Sequence, residues 1–149
     1  MKDSVKCLCD LIQLDIDAVE AYDQAIKNTD HGEIRANLQR FQKDHESHIE
    51  TLSKELKKLG EKPPERTKDI KGFLIEGFTA IRSLTGTEGA LKAMLMNEKL
   101  TTKTYHDALD CDTPAPVKDI IRKNYEDEKR HLKYIQEALD TRFWKQGAA

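Results

Sequence analysis

Apolar residues recur at spacings of three and four along nearly the whole chain, and no stretch sustains the alternate-residue rhythm of a half-buried strand. The pattern predicts an all-α protein. A first helix is expected from about Asp3, as its N-cap, to about Thr29, with Leu8, Leu11, Ala18, Tyr22 and Ala25 on its inner stripe. A second follows the turn Asn28-Thr29-Asp30-His31-Gly32. It carries Ile34, Leu38, Phe41, Leu52, Leu56 and Leu59 inward and stops at Gly60, a residue suited to the left-handed turn that ends helices.

Glu61-Lys62-Pro63-Pro64-Glu65-Arg66 cannot be helical and reads as a linker. Beyond it Ile70, Phe73, Leu74, Phe78, Ile81 and Leu84 share one face of a shorter helix, in which Gly72 and Gly77 each cost roughly 1 kcal/mol. Thr85-Gly86-Thr87-Glu88 has the form of a capping box. It opens a helix near Glu88 with Leu91, Met94, Thr101, Tyr105 and Ala108 inward. Thr113-Pro114 reads as an N-cap and a first-turn proline, starting a last helix that reaches about Trp144. Four helices, each roughly 38 Å long, with short turns inside each pair and one long connection between pairs, predict an antiparallel four-helix bundle. Its hairpins span about 3–60 and 88–144, its crossover 61–87, and the single domain 1–149.

Composition narrows the function. A chain of 149 residues fits one domain with a real core. With 25 basic and 27 acidic residues the net charge of −2 lacks the basic footprint of a nucleic-acid binder. No apolar run approaches the ~20 residues of a membrane span, and Met1-Lys2-Asp3-Ser4 leads straight into an amphipathic pattern, so no membrane partner and a cytoplasmic location are expected. Cys7, Cys9 and Cys111 are an odd set without a two-residue spacer, and are read as reduced thiols. His31 and His106 are expected to be solvated, Met94 in the core and Met96 on the surface. Phe143 and Trp144 are expected against the bundle end or another subunit.

Sliding the chain over itself by 83 residues superposes the two hairpins: Tyr22 falls on Tyr105, Ala25 on Ala108, Asp44 on Asp127, His48 on His131 and Leu56 on Leu139. Ile34, Leu38, Ile49 and Leu52 meet Val117, Ile121, Leu132 and Ile135, so the buried pattern repeats too. Two copies of one helical hairpin about a pseudo-twofold axis are expected.

The inner stripes carry polar residues. The first helix of each hairpin places one carboxylate, Asp15 or Glu98, a heptad before a tyrosine. The second places two ligand-type residues three apart, His45 and His48 or Glu128 and His131, and both Asp15 to His48 and Glu98 to His131 span 33 residues. Six such side chains at one level are costly to bury unless something neutralises them. A pair of divalent metals does so, since carboxylate oxygen and imidazole nitrogen suit iron, manganese or zinc. The alternative is a metal-free hydrogen-bond and ion-pair network in which every member is satisfied.

Glu128-Lys129-Arg130-His131, with the six-residue constellation and the long crossover, resembles the ferritin-like superfamily, especially its bacterioferritin and rubrerythrin branch, and the chain looks like a small bacterial member of that fold. The resemblance covers nearly the whole chain. It implies two iron (or manganese or zinc) ions held by Asp15 and Glu98 as terminal carboxylates, Glu128 as a bridge, and His48 and His131 as one imidazole per metal, with Tyr22 and Tyr105 behind them. It further implies reaction with O2 or peroxide in oxidative-stress or iron handling, and a homodimer or larger homo-oligomer. Position 45 departs from the family pattern, which expects a second bridging Glu; His45 is expected to leave one protein bridge and an asymmetric site. Asp15 is one methylene shorter than the usual Glu. Asp44 and Glu46 lie off the stripe and are expected to compensate for the missing bridge only if their helix is rotated. The contrasting reading is a metal-free or mononuclear bundle that binds a partner and has lost the di-metal activity.

Overall fold

A computed structural model describes residues 2–66 and 86–146. Within them the chain is four long helices and one short one: α1 (Lys2–Asn28), α2 (Gly32–Lys58), α3 (Gly86–Ala108), α4 (Ala115–Thr141) and α5 (Phe143–Gln146). α1 packs on α2 and α3, and α4 packs on α3 and α2, so the helices stand in the cyclic order α1, α2, α4, α3. Short turns make each hairpin antiparallel. Contacts from Tyr22 to Glu98 and from Tyr105 to Asp15 run in opposite directions along α1 and α3, and those from Asp44 to His131 and from His48 to Asp127 do the same for α2 and α4. Every neighbouring pair is therefore antiparallel.

The predicted stripes are the core: Leu8, Leu11, Ala18, Tyr22 and Ala25 of α1, Ile34, Leu38, Phe41, Leu52 and Leu56 of α2, Leu91, Met94, Tyr105 and Ala108 of α3, and Val117, Ile121 and Ile135 of α4 are all buried. α1 and α3 are buried more widely than one stripe, Ile12, Leu14, Ile16 and Ala21 joining α1, and Ala90 and Ala93 joining α3. Met96 is exposed, as expected.

The helix ends follow local chemistry. α2 closes in a Schellman turn, with Gly60 at φ +81°, its N–H donating to the Lys57 carbonyl and that of Glu61 to the Leu56 carbonyl. Residues 61–66 are not helical, and Arg66 runs back to an ion pair with Glu46 at 2.7 Å.

Several predicted termini shift. α1 already includes Lys2 and Asp3, so Asp3 lies inside the helix. α3 begins at Gly86, ahead of Glu88; Thr85 and the helix expected over 70–84 lie outside the described residues. Pro114, extended at ψ 152°, takes the N-cap position of α4 in place of Thr113, because the proline ring fixes the φ that leads into a helix. α4 ends at Thr141, where Arg142 turns left-handed (φ 49°) and a separate turn, α5, carries Phe143 and Trp144.

Phe143 packs edge-on against His31 (5.5 Å between ring centroids), which fixes it to the bundle end. His31 is half-buried and caps α2, its Nδ1 accepting from the Ile34 N–H at 3.5 Å, whereas His106 is exposed. Cysteine pairing differs from the expectation: Cys7 and Cys111 are joined as a disulfide, because the antiparallel packing of α1 on α3 brings the start of α1 beside the α3–α4 turn; Cys9 is free. Ser4 pins the same end, donating to the Asp112 carbonyl at 2.6 Å. No helix among the described residues is long and apolar enough to cross a membrane.

Candidate metal centre

Each long helix brings its polar stripe residues to one level of the bundle. Asp15 comes from α1, His45 and His48 from α2, Glu98 from α3, and Glu128 and His131 from α4. All six are at most 1% exposed. The i, i+3 spacing on α2 and α4 puts both members of each pair on the inner face.

The six fall into two overlapping groups of four. Asp15, His45, His48 and Glu128 form one and His45, Glu98, Glu128 and His131 the other; within each, one donor atom per residue lies within 4.8 Å of the rest. Each group offers two oxygens and two nitrogens. In the first, His48 Nδ1 is 3.1 Å from Asp15 Oδ1 and 3.4 Å from Glu128 Oε1. In the second, His131 Nδ1 is 3.6 Å from Glu98 Oε2 and 3.5 Å from Glu128 Oε2.

Behind the donors stands a second layer that crosses between hairpins. Tyr22 donates to Glu98 Oε1 at 2.5 Å and Tyr105 donates to Asp15 Oδ2. His48 Nε2 is 2.9 Å from Asp127 Oδ2, and His131 Nε2 is 2.7 Å from Asp44 Oδ2. Both imidazoles are thus held from outside by a half-buried carboxylate of the other hairpin and turn Nδ1 inward, the way metal-binding histidines are oriented. Arg130 joins the two outer carboxylates, donating to Asp44 Oδ2 at 3.1 Å and Asp127 Oδ1 at 3.0 Å.

The repeat is broken at the site in four places: Asp15 corresponds to Glu98, His45 to Glu128, Ala18 to Thr101 and Phe41 to Asn124. Consequently Thr101 Oγ1 lies 3.1 Å from both Glu98 Oε2 and Glu128 Oε2, Asn124 reaches the Tyr105 hydroxyl at 3.4 Å, and Phe41 stacks on His131 at 4.3 Å.

Burial and proximity set the charges. Burial disfavours the charged form of every histidine here, yet the neighbouring carboxylates outweigh it. Glu128, Asp15 and Glu98 hold His45 up at about 9, Asp15 and Asp127 hold His48 at about 12, and Glu98 and Asp44 hold His131 at about 11. Reciprocally, Asp15 and Glu98 lie below the usual carboxylate range against the pull of burial, through His48 and His45 for the one and His131 and His45 for the other. Glu128 is pushed up by burial and by the charge of Glu98. Burial, then Glu98 and Asp15 respectively, raises Tyr22 and Tyr105 well above the normal phenol range, so both stay protonated donors.

Two donor atoms bear on whether a metal fits. Glu128 Oε1 and His131 Nδ1 are buried and have no hydrogen-bond partner among the described residues, although both face the cluster. Each has only longer ion-pair contacts, at 3.4 Å from His45 and His48 for the one and at 3.5–3.6 Å from Glu128 and Glu98 for the other, and buried polar atoms held without a hydrogen bond are costly. Both are ligand atoms of a kind that suits iron, manganese or zinc, and the residues fit such an ion.

The structure brings together the six ligand candidates of the sequence, with Tyr22 and Tyr105 beside them. It adds Asp44, Asp127, Arg130, Thr101 and Asn124. Asp44 does not supply the missing bridge: it stays off the inner face and holds the back of the His131 imidazole from the neighbouring helix. A signal for it exists in the repeat: Asp-x-x-x-His occurs at 44/48 and again at 127/131. Glu46 stays outside, on Arg66.

A family model described as a domain of unknown function, DUF2383, matches residues 3–111. No curated protein and no solved structure matches the chain.

Proposed function

Starting from a chain that belongs to the DUF2383 family, we propose that it binds two divalent transition-metal ions at the centre of a single ferritin-like four-helix domain spanning 1–149, with iron or manganese preferred. One observation carries the reading: two four-donor groups drawn from all four helices share His45 and Glu128, and the buried Glu128 Oε1 and His131 Nδ1 are left without hydrogen-bond partners. Asp15 and His48 would hold one ion, Glu98 and His131 the other, with Glu128 between them. Bound iron or manganese would supply redox chemistry toward O2 or peroxide. The protein's own part is mechanical and electrostatic. Asp127 and Asp44 fix the two imidazoles, Tyr22 and Tyr105 hold the terminal carboxylates, and the apolar layers of Leu11, Leu38, Leu52 and Met94 keep bulk water out.

A second reading has an observation of its own. Asp15, Glu98 and Glu128 face His45, His48 and His131, three carboxylates against three imidazoliums, so the core is charge-balanced by protons alone. A bundle so balanced can serve as a metal-free, partner-binding module.

Anaerobic Fe(II) binding to metal-stripped protein, with metal per chain by elemental analysis, separates the two. Two ions per chain, lost in Glu128→Ala and His131→Ala, are expected. Absence of binding, with a melting temperature indifferent to chelator, favours the module.

A further inference from the structure

The two ring nitrogens of His45 face opposite halves of the centre. Nδ1 lies 2.7 Å from Asp15 Oδ1 and 3.4 Å from Glu128 Oε1, while Nε2 lies 3.1 Å from Glu98 Oε1. The 83-residue repeat makes His45 the counterpart of Glu128. Glu128 is divided in the same sense, Oε1 facing His45 and His48 at 3.4 Å and Oε2 facing His131 at 3.5 Å. Equivalent positions of the two hairpins thus carry two-ended donors, one a carboxylate and one an imidazole.

From this geometry we infer that His45 is a ligand shared by both metal positions, joining them as an imidazolate through Nδ1 and Nε2, opposite the Glu128 carboxylate. The inference rests on the dinuclear reading above. It replaces the expectation from sequence that His45 leaves a single protein bridge, an expectation that treats imidazole as a one-ended ligand.

Charge balance at a buried site supports it. Two divalent ions bring four positive charges into a core at most 1% exposed, where net charge is costly. Asp15, Glu98 and Glu128 supply three negative charges, and an imidazolate at position 45 supplies the fourth. Counted as protons, His45 gives up one from each ring nitrogen. His48 and His131 each give up the proton on Nδ1 and keep the one that Nε2 donates to Asp127 or Asp44. The protons displaced from these nitrogens pass to solvent as the two ions enter, and the four negative charges of the ligands match the four positive charges of the metals. At His45 each N–H···O contact is replaced by a nitrogen–metal bond, and nothing is oxidised or reduced.

The test uses the metal-stripped full-length chain loaded with Cu(II), reading copper per chain by elemental analysis and unpaired spins by low-temperature electron paramagnetic resonance. An imidazolate couples the two copper spins, so two copper ions per chain with an integrated signal well below two spins is expected. In His45→Gln, which keeps Glu128 but offers no two-ended nitrogen ligand, the signal should return to one spin per bound copper. Circular dichroism checks that this variant keeps its helices. If His45→Gln does not fold, Glu128→Gln serves instead: a signal that stays suppressed without the carboxylate assigns the coupling to His45, and one that returns assigns it to Glu128 and overturns the shared imidazolate. In the wild type, a spin count equal to the copper bound overturns it outright. So does a suppressed signal that His45→Gln leaves unchanged, which assigns the coupling to Glu128. One copper per chain overturns the dinuclear reading, and the bridge with it, but leaves a mononuclear centre, whereas no copper bound overturns metal binding altogether; two copper ions with a full spin count overturn the bridge alone.

Discussion

In the metal-free protein, His45 is an imidazolium sandwiched between Asp15 and Glu98, and its contribution to stability depends on pH in a calculable way. Its folded value of about 9 stands above the ordinary 6.5. A group raised on folding contributes fully below its unfolded value, and the contribution is lost as pH rises through the folded one. The gap between 6.5 and about 9, at 1.36 kcal/mol per pH unit, is worth about 3 kcal/mol, present at pH 6 and almost gone at pH 9. His48 and His131 titrate higher and also contribute, so the measurement has to be a difference. Urea denaturation of wild type and His45→Gln, both with chelator, gives an unfolding free energy at each pH. The wild-type advantage should shrink by about 3 kcal/mol between pH 6 and pH 9. A difference that stays constant to within about 0.5 kcal/mol would falsify the charged state assigned to His45 and, with it, the proton-balanced core.

Two further outcomes follow from the tertiary structure. The Cys7–Cys111 disulfide links residues 104 apart, for which loop-closure entropy gives about 4.7 kcal/mol; it borders a surface cleft of about 480 Å³ shared with Lys6 and Asp10, within reach of small reductants. Adding dithiothreitol, or substituting Cys7→Ser, should lower the melting temperature by roughly 10–18 °C, and an unchanged melting curve would show the pair to be reduced in solution. Asp127→Asn removes the outer anchor of His48, and Asp44→Asn that of His131. Each should weaken Zn(II) binding by about 10–100-fold in a competition titration while leaving helix content unchanged, as loss of the partner behind a metal-binding histidine does. Equal affinity in both variants and wild type would mean that these carboxylates do not orient the ligands.

Much of the bundle is written in the chain because helices announce themselves locally. A period of 3.6 residues, Pro63-Pro64 and the glycine after Leu59 are readable one turn at a time, and each depends only on neighbours within a few positions. The six inward-facing polar residues are legible for the same reason, since a carboxylate or imidazole on an apolar stripe needs no partner helix to be noticed. The repeat adds that the two hairpins are alike, which selects the pairing of Asp15 with His48 and Glu98 with His131.

What the sequence leaves open are relations between helices far apart in the chain. Asp44 lies off the inner stripe of α2 yet serves the site, because α4 runs antiparallel beside it and delivers His131 Nε2 to 2.7 Å. Cys7 meets Cys111 only once α1 packs against α3 in opposite direction. Side-chain direction is likewise a tertiary matter. In sequence His45 is the place where a carboxylate is missing; in the folded bundle Asp15 on one side and Glu98 on the other turn its two nitrogens to both halves of the centre. Periodicity fixes which face a residue occupies, while the rotation and antiparallel register of neighbouring helices decide which atoms on that face meet.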